Sequence, residues 1–90
     1  MTAPADLVPV RAAGITSHRV RGVGVHEHHV HVVAGTGARV EVTRWPRHPH
    51  LSAHVRTFDR AGAVVSEESH SGVLGVGALL GVSGYRVTGT

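Results

Sequence analysis

The run "VHEHHVHVV" at residues 25–33 places four histidines and a glutamate among valines. Side chains alternate between the two faces of a strand. His26 and His28 would therefore share one face, and His29 and His31 would share the other. An H-x-H pair on one strand face can direct two imidazoles at one metal ion, and neutral imidazole suits zinc, nickel or copper.

More histidines follow this run in the sequence. The segment "HPH" contains His48 and His50, and His54 comes soon after. A zinc site uses about three or four protein ligands, so two H-x-H pairs joined by Glu27 or His54 would supply one. The predicted metal ligands are His26, His28, His29, His31, His48, His50 and His54, with zinc, nickel or copper as the ion. Two other interpretations stay open: histidines incidental to a strand, and a pH-dependent interface.

The strict motifs of several enzyme classes are not met. In "HEHHV", Val30 stands where the H-E-x-x-H motif of metalloproteases requires histidine. Gly75 and Gly77 are followed by Leu80 where the dinucleotide-binding G-x-G-x-x-G motif requires a third glycine. The G-x-S-x-G motif of serine hydrolases does not occur. We therefore predict no catalytic residue and no cofactor beyond the metal alternative, and the sequence favours a non-enzyme.

The charge of the chain is basic and carried by arginine. All nine basic residues are Arg, the formal net charge is +3 with histidine neutral, and there is no cysteine. Disulfides and thiolate chemistry are thereby excluded. Nine histidines that titrate near pH ~6.5 would raise the charge strongly in mild acid.

Arginines beside aromatic residues give a second alternative function, binding of single-stranded nucleic acid on a small β-barrel. The candidate residues are Arg44, Trp45, Arg47, Arg56 and Phe58. The sequence does not favour this alternative, because a solvated arginine face has the same composition.

Composition predicts an all-β fold. The chain has 17 valines and 12 glycines, and β-branched runs broken by glycine turns are typical of short strands. We predict a small single-domain barrel or sandwich of about five to seven short antiparallel strands. One short glycine-rich helix near residues 73–83 is the exception, with Leu74, Ala78 and Val82 along one side and Leu79 and Leu80 beside them.

Local signals place some of the strands. Residues 1–14 contain two prolines and Gly14 and are predicted as an extended N-terminal arm, with a short strand near residues 7–11; residues 15–90 form the β-domain. The first core strand is predicted over residues 15–25. Residues 30–45 read as a hairpin around a "GTG" turn. A second hairpin turns at Asp59–Gly62, and a regular register would put His54 opposite Glu67.

A small β-domain with an extended arm, open strand edges and few aromatics is typical of a binding or assembly module. We therefore predict a non-catalytic module that self-associates as a homo-oligomer or docks on a protein partner. No secretory signal is evident at the N-terminus. The most apolar stretch, residues 72–84, is about half the ~20 residues of a membrane span, so a cytoplasmic protein without a membrane partner is expected.

Overall fold

The computed structural model of the chain describes residues 7–88. Strands dominate it, and one short helix follows the fifth strand, as the valine and glycine content predicts. The elements are β1 (Val8–Val20), β2 (Gly24–Val33), β3 (Arg39–Arg44), β4 (Ala53–Phe58), β5 (Val64–His70), α1 (Val76–Val82) and β6 (Tyr85–Val87). Among residues 7–88, no helix is both long enough and apolar enough to cross a bilayer.

All six strands belong to one sheet in the order β5-β4-β3-β2-β1-β6. The first five strands form an antiparallel meander, because each pairs with the next along the chain. β6 instead returns to the start of β1 and pairs in parallel, with Tyr85 opposite Val8 and Val87 opposite Val10. This last strand covers only the first residues of β1.

The sheet is curled into a half-barrel. Tyr85 of β6 and Thr57 of β4 form a hydroxyl–hydroxyl hydrogen bond of 3.1 Å, although three strands lie between theirs. Across a flat sheet, four strand spacings would separate these strands by about 19 Å. The curl therefore gives the sheet an inner face and an outer face.

The core lies on the inner face beneath α1. Its buried side chains come from five elements and are Val10, Val33, Val40, Val42, Ala53, Val55, Leu79 and Leu80. On β3 the alternation Val40 and Val42 inward, Glu41 and Thr43 outward, gives the burial expected of a half-covered strand. The core is small and aliphatic, with half-buried Tyr85 packed at its margin.

The predicted glycine-rich helix is confirmed as α1, and the two leucines predicted beside its line of apolar residues are the ones that pack into the core. Leu79 and Leu80 are fully buried, whereas Ala78 is exposed and Val82 is 58% exposed. A helix of seven residues has only two turns, so one adjacent pair of leucines suffices to anchor it. The predicted side of Leu74, Ala78 and Val82 is therefore wrong for Ala78 and Val82.

The first predicted core strand, residues 15–25, is divided in two. Arg21–Val23 form a turn between β1 and β2, and Gly22 adopts a φ of 79°, which glycine reaches without the penalty that a Cβ would impose. β1 begins at Val8 and includes residues 8–14 of the predicted arm. Residues 1–6 of that arm lie outside the described residues.

Both predicted hairpins are present. The β2–β3 hairpin turns at residues 34–36, and the β4–β5 hairpin turns at Asp59–Gly62, where Gly62 donates its N–H to the Asp59 carbonyl over 3.0 Å. The regular register predicted for the second hairpin is wrong. Phe58 pairs with Val64, and a bulge between Thr57 and Phe58 shifts the pairing by one further residue, so His54 lies opposite Ser69 and Arg56 opposite Glu67.

Candidate functional site

The four histidines of β2 divide between the two faces of the sheet. His29 and His31 lie opposite Val42 and Val40 of β3, which point to the core. His26 and His28 point to the outer face, where the His26 ring contacts Trp45. The two H-x-H pairs of this strand therefore do not meet.

On the inner face, the Glu27 carboxylate contacts both His29 and Arg44. Glu27 accepts hydrogen bonds from His29 Nε2 at 3.1 Å and from Arg44 Nη1 at 3.4 Å. The hydrogen bond from His29, opposed by burial and helped by the charge of Arg44, holds the pKa of Glu27 below its ordinary value. His29 is thus engaged by a carboxylate of its own strand.

His31 is the one buried polar side chain on the inner face among residues 7–88. It is 4% exposed, and its Nδ1 atom has no hydrogen-bond partner within the described residues. Burial, reinforced by neighbouring His29, lowers the pKa of His31 below 6.5. The side chain therefore fills the apolar core as a neutral imidazole.

On the outer face, the register of the first hairpin brings His18 of β1 directly opposite His26 of β2. Their ring centroids are 5.2 Å apart, and the Trp45 ring lies 4.5 Å from the His26 ring. Burial lowers the pKa of His26, and the charges of His18, His28 and His54 lower it further. We call His18 and His26 the outer histidine pair.

Two neighbours of the outer histidine pair are held by other side chains. His28 Nε2 lies 2.5 Å from Glu41 Oε1, and His54 Nδ1 lies 3.0 Å from Ser69 Oγ. Both contacts cross from one strand to the next, so they fix the imidazole rings over the sheet. His28 and His54 therefore have one ring nitrogen already committed to a protein partner.

The loop between β3 and β4 brings a second pair to the same region. His48 and His50 have ring centroids 5.5 Å apart, and the His48 ring lies against Gly24, where an added Cβ would be 2.7 Å from Nε2. Gly24 precedes His26 by two residues at the start of β2. The loop pair thus lies beside the strand that carries the outer histidine pair.

Of the seven histidines predicted as ligands, His29 and His31 lie on the inner face and the rest lie on the outer face or its neighbouring loop. Within residues 7–88, no three His, Asp or Glu side chains are close enough together to hold one metal ion between them. His18 is absent from the predicted set. No spacing within residues 25–33 could show it, since the contact depends on the turn at Gly22.

The arginines and aromatics predicted for nucleic acid do not all lie on one face of the sheet. Arg44 points to the inner face, where it contacts Glu27, whereas Trp45 packs on His26 on the outer face. Arg56 forms an ion pair with Glu67 on the outer face. Phe58 has a different arginine over its ring, because the Arg39 guanidinium lies 4.5 Å from it, and Arg47 is an exposed loop residue.

The sheet has two edges at which described strands lack a neighbour on one side, part of β1 and β5. β6 pairs with β1 only at residues 8–10, so among the described residues the outer edge of β1 from residue 11 to residue 20 has no neighbouring strand. Residues 11–19 are exposed on both faces. β5 is the opposite edge of the sheet, and its residues Val64–Glu67 are exposed as well.

A shallow groove of about 450 Å³ lies at the end of the sheet near the β2–β3 turn. Arg11, the backbone of Gly35 and Gly37, and Val32 are among its lining residues, and none of the histidines lines it. It therefore lies apart from the outer histidine pair.

Comparison of the chain with protein-family models, with curated proteins and with solved structures finds no match in any of the three.

Proposed function

We propose that this protein is a non-catalytic assembly module that self-associates through the edges of its sheet. The observation that carries the proposal is the free outer edge of β1 over residues 11–20. This ten-residue segment without a neighbouring strand presents a row of backbone N–H and C=O groups that can pair with another chain. Natural edge strands are usually short or shielded, and β1 has 13 residues.

The groups that point outward can be identified from the hydrogen bonds. Val33 donates its N–H to Ala38 on the β3 side, and Val10, which is opposite Val33, accepts from Thr88 on the outer side. Backbone N–H and C=O groups alternate in direction along an antiparallel strand. Beyond the bulge at residues 12–14, the N–H groups of Ile15, Ser17 and Arg19 therefore also point away from β2, in the plane of the sheet. These positions would form the hydrogen bonds to a neighbour.

Charge favours the β5 edge of a second copy as that neighbour. β1 contains Arg11, His18 and Arg19 and no acidic residue, whereas β5 contains Glu67 and Glu68 and no arginine. Pairing two β1 strands or two β5 strands would bring like charges together, which is unfavourable across strands. Pairing β1 with β5 instead brings opposite charges together.

Contact between two different edges of the same molecule is head-to-tail, so it generates a closed ring or an open filament. The test is the mass of the tag-free protein by sedimentation velocity and light scattering at neutral pH. We expect particles larger than the 9.4 kDa chain, with association weakened by high salt because exposed charges are screened. A monomer at every concentration would contradict the proposal.

Ser17→Pro tests the edge itself. Proline removes an N–H that points away from β2 and is tolerated on edge strands, so the intramolecular ladder should survive while pairing with a second copy is blocked. We expect Ser17→Pro to shift the protein to monomer and Ser17→Ala, the matched control, to leave the assembly intact.

Arg19→Glu, which reverses a charge on β1 without changing the backbone, should also weaken the assembly.

Circular dichroism of Ser17→Pro distinguishes a blocked edge from an unfolded chain. A folded Ser17→Pro variant that assembles like the wild-type protein would show that the β1 edge is not the contact.

A further inference from the structure

The nine histidines differ in whether their ring nitrogens already contact another protein side chain. His28, His29, His54 and His70 each contact a Glu or Ser side chain, and His31 is buried in the core. Within residues 7–88, the ring nitrogens of His18 and His26 form no hydrogen bond to the protein, and neither do those of His48 and His50. Two pairs of imidazoles are therefore free to bind a ligand that accepts nitrogen donors.

The outer histidine pair is the better prepared of the two. Its members lie opposite each other on adjacent paired strands, so the β-ladder fixes the distance between their backbones. Trp45 packs against the His26 ring at 4.5 Å and restricts its rotation. His48 and His50 instead belong to a loop of two successive turns, where the ordering of the rings would have to accompany binding.

The separation of the outer pair fits a shared metal ion. With metal–nitrogen bonds of about 2.0–2.1 Å at a tetrahedral angle, two imidazole centroids stand roughly 5.2 Å apart. The centroids of His18 and His26 are 5.2 Å apart, with the ring planes inclined at 64°. The centroid separation therefore matches that of two imidazoles on one ion, and rotation of the rings about their side-chain bonds would direct one nitrogen from each at a common point.

We propose that His18 and His26 chelate a borderline divalent transition-metal ion, such as Zn²⁺, Ni²⁺ or Cu²⁺, on the outer face. Two imidazoles supply two ligands, and water completes the coordination sphere. The site is open and exchangeable rather than a closed structural site of four protein ligands. It does not depend on self-association, because both ligands belong to one copy.

The binding of a metal ion to imidazole depends on pH. A metal ligand must be the neutral imidazole, so protons compete with the metal ion for the ring nitrogens. The affinity for the metal ion should therefore fall as the pH is lowered. Imidazole ligands should give the affinity order Cu²⁺ above Ni²⁺ and Zn²⁺.

The test is a titration of the tag-free chain with ZnCl₂, followed by NMR of the histidine ring nitrogens at pH 7.5. We expect the ring signals of His18 and His26 to move at the lowest zinc concentrations. His18→Gln and His26→Gln should each weaken zinc binding about tenfold or more, because one of two ligands is lost. His70→Gln, on the inner face of β5, is the matched control and should bind zinc as the wild-type chain does.

His18 is exposed and contributes nothing to the core, so His18→Gln remains decisive even where His26→Gln fails to fold. An amide spectrum of each variant reports whether the sheet is intact. Zinc binding unchanged in His18→Gln, or removed by His48→Gln instead, would overturn the proposal. So would the absence of any shift at millimolar zinc.

Discussion

His31 shows how a single residue couples stability to pH. The side chain is 4% exposed on the inner face, and its Nδ1 atom has no partner within the described residues. An unsatisfied buried polar atom costs about 1–3 kcal/mol. Because the pKa of His31 is lowered in the fold, the folded state binds fewer protons than the unfolded state, and stability is lost as the pH falls through about 6.5.

His31→Leu should therefore stabilise the protein. Leucine fills a similar volume without a polar atom, so the free energy of unfolding should rise by roughly 1 kcal/mol at pH 7.5, and by more at pH 5.5. Urea denaturation at the two pH values measures both effects. His50→Leu, in the exposed loop, should change neither, and a destabilised His31→Leu would mean that His31 makes a polar contact essential to the core.

At this scale, alternation in the sequence predicts which histidines of β2 share a face. It does not predict their partners. Glu27 bonds its own neighbour His29, and the outer pair joins His26 to a residue eight positions earlier, His18. That contact depends on a reversal of the chain at Gly22, where a glycine inside a valine-rich stretch is equally consistent with a weakened strand.

Among the elements, α1 is short and lacks a side-chain N-cap, so packing must hold it in place. Helices of this length are marginal on their own, and most helical stability comes from the buried face. Leu79 and Leu80 supply that face and are fully buried. The leucines therefore tie the segment after β5 to the core.

Leu79→Ala should destabilise the protein by about 2–5 kcal/mol, the usual cost of a leucine truncated in a core. Val82→Ala, on the exposed side of the same helix, should cost less than about 0.5 kcal/mol. Thermal or urea unfolding of the two variants measures the difference. Equal losses would mean that α1 does not dock through Leu79.

The sequence predicts a short helix near residues 73–83, and α1 lies within those bounds although its glycines oppose it. Gly77 and Gly81 each lower helix propensity by about 0.8–1 kcal/mol relative to Ala, and burial of two leucines outweighs that local preference. The β4–β5 register cannot be predicted from the sequence either, because a bulge at Thr57 and Phe58 leaves no mark in the alternation of apolar and polar residues.

For the whole molecule, the curl of the sheet is the property that composition does not reveal. Valine and glycine content predicts a small all-β domain, and the structure is one. The parallel return of β6 to β1 joins residues far apart in sequence, and only that return brings Tyr85 to Thr57. A periodic pattern along one strand carries no information about such a contact.

The Thr57–Tyr85 hydrogen bond gives a direct test of the curl. Tyr85→Phe and Thr57→Val should each lower the free energy of unfolding by about 0.5–1.5 kcal/mol. In the double variant the losses should not add, because the two changes remove one interaction. A double-mutant cycle by urea denaturation measures the coupling, and strictly additive losses would show that the hydroxyls do not meet in solution.

The pairing of Tyr85 with Val8 also constrains the order of events during protein synthesis. These residues are 77 positions apart, and Val10, next to this pairing, is one of the fully buried core residues. A nascent chain that has formed the β1–β5 meander still lacks both α1 and β6, so its core is uncovered while translation continues. The core is therefore covered only once α1 and β6 are available, and we expect the partly synthesised chain to expose Val10 and its apolar neighbours until then.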